Sequence, residues 1–164
     1  ELDTNIKVIA EAIEEALKAD PALWAKVQKI NTVKGLGLIS IATIIAETNG
    51  FELFNSIAQV VSYAGYDVTD NQSGNRTGKQ RISKKGNNRI RRILFMPAFS
   101  VVRYSQKPFT DLYDRVYDRS RLKMKAYVAV QRKLLILVYT LWKRNEEYDP
   151  GRYLTKTDNL IASR

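Results

Sequence analysis

A chain of 164 residues is long enough for one well-cored domain with an appended helix. It contains no cysteine and no histidine, which excludes disulfides, thiolate chemistry and any Ser-His, Cys-His or histidine-metal constellation. Its formal charge of +10 is unevenly spread: residues 1–70 hold five Lys/Arg against ten Asp/Glu, residues 71–110 ten against none, and residues 111–164 twelve against seven. That asymmetry points to a directed polyanion-binding surface, not to a generally solubilising charge.

The chain opens on Glu-Leu-Asp, without an initiator Met or a secretory signal pattern, and reads as a piece of a longer, soluble, cytoplasmic protein. In residues 2–18, Leu2, Ile6, Ile9, Ile13 and Leu17 recur at steps of 4, 3, 4 and 4. This predicts a helix with one narrow apolar stripe, used either for core packing or as a coiled-coil segment. Asp20-Pro21 supplies an N-cap and a first-turn proline for a second helix, Ala22 to about Asn31. From Ile30 the text I-N-T-V-K-G-L-G-L-I-S-I-A-T-I-I-A-E spells a helix-hairpin-helix pattern around Gly35 and Gly37. Such a turn can aim helix N-terminal amides at a phosphate, although many helical hairpins use glycines for structure alone.

Asn49-Gly50 ends that helix, and Phe51, Phe54, Ile57, Val60, Val61 and Tyr63-Ala64 continue the apolar face as far as Gly65. Asp67 to Gln72 reads as loop. Residues 71–92, N-Q-S-G-N-R-T-G-K-Q-R-I-S-K-K-G-N-N-R-I-R-R, then carry eight Lys/Arg and no acid. Glycines at 74, 78 and 86 interrupt the charge and predict local mobility. The first part, Asn71 to Gln80, reads as a pliable loop, and Arg81 to Arg92 as a helix entrance that anchors phosphates. Asn88 to about Gln106 is predicted helical with Pro97 as a kink or a restart. Phe109, Leu112, Tyr113, Val116 and Tyr117 form one helical face. Met124 to about Glu147 is the longest helix, with Ala126, Val130, Leu134, Leu137, Val138 and Leu141 inward. The aromatics suit a core better than a base-stacking platform, and the tail after Asp149-Pro150-Gly151 reads as irregular. No convincing strand appears, so the fold class is all-α.

Two hydroxyls in the basic loop, Ser73 and Ser83, are candidate nucleophiles. A serine attacking a phosphodiester needs a proton acceptor, cations for the developing charge and a flexible approach. Gly74 offers the approach, and Arg76, Lys79, Arg81 or Lys84 the cations. Judged from the residues alone, a serine in such a loop is more often a phosphate donor or a turn residue.

The order of the segments V-K-G-L-G-L-I-S-I-A-T-I-I-A-E, F-E-L-F-N-S-I-A-Q-V-V-S-Y-A-G, Q-S-G-N-R-T-G-K-Q-R-I-S-K-K-G-N-N-R-I-R-R-I-L and A-V-Q-R-K-L-L resembles one family over about residues 30–145. It is similar to the C-terminal domain of the "IS one-ten" insertion-sequence transposases, relatives of the Piv DNA invertases. The resemblance implies a catalytic serine in the S-G that follows Y-A-G, here Ser73. It also implies an N-terminal RuvC-like domain, absent from this chain, whose four acidic residues hold magnesium and which is joined through a coiled coil. Lys34 stands where that family usually has proline, and Tyr66-Asp67-Val68 replaces its usual leucine and proline.

The resulting expectation is a connector helix over 1–30, a catalytic domain over 31–147 with the helix-hairpin-helix at about 30–65 and the basic loop at 71–92, and a tail over 148–164. Ser73 is the expected nucleophile. The expected DNA-binding set is Gly35, Gly37, Arg76, Lys79, Arg81, Lys84, Lys85, Asn87, Arg89, Arg91 and Arg92. No metal ligands are expected in this chain. The resemblance further implies DNA and a structured guide RNA as partners, a dimer or tetramer in the full-length protein, and a nucleoid-associated prokaryotic location. A non-catalytic helix-hairpin-helix module that only grips phosphates is the alternative. A tyrosine recombinase is a third reading, with nine tyrosines available, but the chain lacks the histidines that chemistry usually employs.

Overall fold

A computed structural model describes residues 2–69, 72–73, 76–77 and 81–152, with the backbone alone at 69, 72–73 and 76–77. Among these residues the chain is built of eight helices and four two-residue strands. The helices are α1 (Leu2–Lys18), α2 (Pro21–Asn31), α3 (Leu38–Thr48), α4 (Ile57–Tyr63), α5 (Asn88–Ile93), α6 (Phe95–Arg103), α7 (Lys107–Ser120) and α8 (Lys123–Arg144). The domain is all-α, as its periodicity predicts.

Local chemistry explains most boundaries. The Asp20 carboxylate accepts from the Ala22 and Leu23 amides at 3.0 and 3.1 Å, and Pro21 occupies the first turn where its missing N–H costs nothing. The Ser56 hydroxyl accepts from the Gln59 amide at 3.3 Å to start α4. Asn49 and Asn145 end α3 and α8 in the left-handed conformation that asparagine tolerates. Pro97 proves to be a restart: α5 ends at Ile93, Leu94 serves both helices as a cap, and Pro97 lies in the first turn of α6.

The core is assembled on α8, which packs against α2, α4, α6 and α7. Val130, Leu134, Leu137, Val138 and Leu141 are buried at helical spacing, and Leu135, Tyr139 and Trp142 widen the buried arc. The Tyr66 hydroxyl, fully inside, donates to the Gln131 side-chain oxygen at 2.8 Å, so each satisfies the other's buried polar atom. Burial raises the phenol's pKa, which keeps it a neutral donor.

Gly35 is required by packing. Its φ is +96°, and a Cβ there would meet the Val101 amide nitrogen of α6 at 2.9 Å. Gly37, by contrast, caps α3 with open space around it. In α1, Leu17 is buried and Ile13 packs against the core, whereas Leu2, Ile6 and Ile9 are 80%, 63% and 59% exposed. The apolar stripe of α1 therefore joins the core only at its C-terminal end.

Candidate nucleic-acid interface

The basic stretch emerges between α4 and α5 on a stem that the sequence did not announce. Strands β1 (Val68–Thr69) and β4 (Arg81–Ile82) pair antiparallel, with Val68 opposite Ile82 and Thr69 opposite Arg81. Further out, β2 (Gln72–Ser73) pairs with β3 (Arg76–Thr77), with Gln72 opposite Thr77 and Ser73 opposite Arg76. Val68–Thr69 and Gln72 are thus strand where a loop was expected, Asp70 and Asn71 lying outside the described residues, and Arg81-Ile82 is strand instead of the expected helix entrance. Two-residue ladders are too short to produce a readable alternation, which needs about four residues or more.

Below the ladder the returning chain stays fastened to the outgoing one. The amides of Ser83, Lys84 and Asn87 donate to the carbonyls of Asp67, Gly65 and Tyr63 at 2.8, 3.1 and 2.7 Å. The Ser83 hydroxyl donates to the Asp67 carboxylate at 2.6 Å, and its oxygen accepts from the Lys85 amide at 3.3 Å. Ser83 therefore acts as a fastener at the foot of the stem. Gly86 is packed so closely that a Cβ would collide with the Tyr63 carbonyl oxygen. It serves close approach at the foot of the stem, where its composition suggested mobility.

Glu47, the last charged residue of α3, organises this foot. Its carboxylate accepts from the Asn87 side-chain amide at 2.7 Å and from the Arg89 guanidinium at 2.9 Å, while its carbonyl accepts from the Tyr63 hydroxyl at 3.0 Å. These bonds hold the Glu47 carboxyl below the usual carboxylate range, with Asn87 the larger cause and Arg89 next. The Arg89 guanidinium is correspondingly raised by its bond to Glu47. Asn87 also caps α5, its side-chain oxygen accepting from the Arg89 and Ile90 amides at 2.9 and 3.1 Å. Arg91 donates to the Ala64 carbonyl at 2.7 Å. Sequence reading passed over Glu47. Its signal was a lone carboxylate at the end of an otherwise uncharged apolar helix.

The candidate set accordingly divides. Asn87, Arg89 and Arg91 are engaged in fixing the stem to α3 and α4, although the Arg89 side chain remains 74% exposed. Lys84, Lys85 and Arg92 are exposed, and no carboxylate among the described residues lies within ion-pair distance of them. Arg81 is exposed too. The backbones of Ser73 and Arg76 face each other across β2–β3, and Lys79 lies outside the described residues. Gly35 and Gly37 sit apart from the stem, in an open cleft of about 450 Å³ with Lys34, Ser40 and Tyr104. Gly35 is there for α6, and Gly37 is the one with free space for a ligand. Among the described residues no three Asp or Glu gather as a metal site. No described helix is long and apolar enough to cross a membrane.

Residues 27–114, more than half of the chain, match the transposase IS116/IS110/IS902 family. The chain is 26% identical over 147 residues to the pilin gene-inverting protein of Moraxella bovis, covering 88% of this chain and 45% of that protein. It is 26% identical over 141 residues to the transposase for insertion sequence element IS1111A of Coxiella burnetii, covering 84% and 38%. An uncharacterized protein of insertion element IS116 from Streptomyces clavuligerus is 22% identical over 156 residues, covering 95% and 38%. The chain spans less than half the length of these relatives.

Proposed function

Because the chain belongs to the IS116/IS110/IS902 transposase family, we propose that it is the C-terminal catalytic part of a DNA recombinase that cuts and rejoins strands through Ser73. The observation that carries this reading is the family match across 27–114, which contains the whole hairpin and its serine. The β2–β3 register supports it by setting the Ser73 backbone opposite that of Arg76.

The exchange balances without hydrolysis. A bond forms between the Ser73 hydroxyl oxygen and phosphorus as the bond from phosphorus to the 3′ oxygen breaks. The serine proton is passed, in sum, to the departing 3′ hydroxyl. One phosphodiester has replaced another, and attack by the 3′ hydroxyl of a second DNA end reverses the chemistry onto a new partner. Cationic side chains of the hairpin, Arg76 and Lys79 first, offset the charge that develops on the phosphate oxygens. Magnesium held by a RuvC-like domain of the longer protein would supply Lewis-acid stabilisation and make the serine a better nucleophile. The exposed stripe of Leu2, Ile6 and Ile9 suits a coiled-coil connector to that domain, and a dimer or tetramer would bring the two sites together. A structured guide RNA shares the basic surface, and Gly37 presents the helix-hairpin-helix turn to phosphate.

The test is Ser73→Ala in the full-length protein. It is expected to retain DNA binding and to lose both recombination and the covalent protein–DNA adduct. Undiminished recombination in that variant overturns the assignment. Salt-sensitive binding with no serine-linked DNA under any metal condition would instead leave a phosphate-gripping module.

A further inference from the structure

A second group of cations lies on α7 and α8, beside the stem of the hairpin. Between α7, α8 and the foot of the stem runs a groove of about 900 Å³. Arg115 and Arg119 from α7 and Lys125, Arg132 and Lys133 from α8 line it. Among the described residues no carboxylate lines it: Asp111, Asp114 and Asp118 of α7 are absent from its walls. Among the described residues, Arg115, Arg119, Lys125 and Arg132 have no carboxylate within ion-pair distance. Lys133 is held from below, its ammonium donating to the Pro108 carbonyl at 2.6 Å. Burial and then the charge of Arg115 push its pKa down, while Asp111 opposes them. This is a crowd of like charges that an anion would relieve.

The floor of the groove is apolar. Val68, Ile82, Leu112, Val116, Val128 and Ile136 contribute to it, and Val68 is 52% exposed. Phosphate alone has no use for such a floor. A duplex presents phosphates and sugars outward and keeps its base faces stacked inside, so it too would leave the floor uncovered. An unpaired strand offers both chemistries at once, anionic phosphates and apolar base faces. Among the described lining residues no aromatic ring is exposed, because Tyr66 is fully buried. Contact with the bases is therefore by burial and not by ring stacking, which makes it tolerant of sequence.

We propose that this groove holds an unpaired nucleic-acid strand, its phosphates on the α7 and α8 cations and its bases against the apolar floor. One wall is the Val68–Ile82 rung, the foot of the same hairpin that carries Ser73. A strand seated there touches the stem directly. The assignment rests on the recombinase reading only for the source of the strand, which is opened DNA or RNA.

Binding is measured with the full chain, using a labelled short oligothymidylate, an oligouridylate of equal length and a DNA duplex. Arg119→Gln/Arg132→Gln is expected to weaken the unpaired strands by about tenfold and to flatten the salt dependence of log K by about 1.4, the share of two phosphates. Val116→Ser/Val128→Ser is expected to weaken unpaired strands several-fold and to leave duplex binding unchanged. Photo-crosslinking through a diazirine-bearing base, whose carbene inserts into aliphatic side chains, should mark peptides of α7 and α8. Preference for either oligonucleotide supports the groove and identifies the source. Equal loss of duplex and single-strand binding in both variants overturns the proposal, as does crosslinking that avoids α7 and α8. Tighter binding of an oligoglutamate peptide at the groove also overturns it. The measurements are repeated in Ser73→Ala, so a failed groove and a failed nucleophile remain separate results.

Discussion

Glu47 shows how one carboxylate can set the position of a cationic segment many residues away in sequence. It accepts from Asn87 and Arg89 and, through its carbonyl, from Tyr63, so α3, α4 and the start of α5 converge on it. Arg89 is well exposed, so the ion pair is worth little by itself. The worth of the site lies in orientation: the same Asn87 that bonds Glu47 caps α5. The sign of the pH dependence follows from the direction of the shift. The folded carboxyl titrates below its ordinary value of 4.5, so its contribution is fully present above 4.5 and is lost as pH falls through the lowered folded value. Thermal melting of the wild type and Glu47→Gln should show the wild type higher at neutral pH, with the gap closing only in acid below about pH 4.5. A gap that stays constant into acid would mean that the charge contributes nothing.

Among the elements, α1 and α8 are opposites. Both carry apolar residues at helical spacing, yet α8 is enclosed by α2, α4, α6 and α7 whereas most of the α1 stripe faces outward. Leu134, completely buried, should cost about 2–5 kcal/mol on substitution by alanine, because transfer and cavity terms add. Ile6→Ser should change the stability of this chain by less than about 0.5 kcal/mol, as is usual for exposed sites. Denaturant midpoints of the two variants check both figures. A large loss on Ile6→Ser would place that residue in the core. The stem of the hairpin is a third kind of element, made of two-residue ladders that gain support from below through Ser83, Lys84 and Asn87.

Over the whole molecule the positive charge is sorted into surfaces. The hairpin foot exposes Lys84, Lys85 and Arg92, and the α7–α8 groove holds a separate group around Arg119 and Arg132. Replacing Lys84, Lys85 and Arg92 by glutamine should lower the salt slope of duplex DNA binding by about 2.7, since each phosphate contact contributes about 0.9. Binding titrations over a range of salt measure this directly, and an unchanged slope would remove these three residues from the interface. Arg91→Gln should act differently, because Arg91 spends its guanidinium on the Ala64 carbonyl.

Helix positions were legible in the residues because a 3.6-residue period repeated over several turns is a strong signal. Ala126, Val130, Leu134, Leu137, Val138 and Leu141 are all inward as their spacing implies, and Asp20-Pro21 starts a helix as its chemistry requires. The uncompensated charge of 71–92 was equally plain. The β1–β4 and β2–β3 ladders were not, because two residues carry no period. Nor could the residues tell an arginine that grips the fold from one that reaches solvent. Arg91 and Arg92 are adjacent in sequence, but only Arg91 finds a carbonyl within reach. The sequence by itself determined the all-α class, the helix faces and the basic character of the chain. Tertiary structure alone decided which cations Glu47 and Ala64 engage, and that α7 and α8 meet around a groove. Those facts depend on contacts between residues far apart in the chain, which no local pattern records.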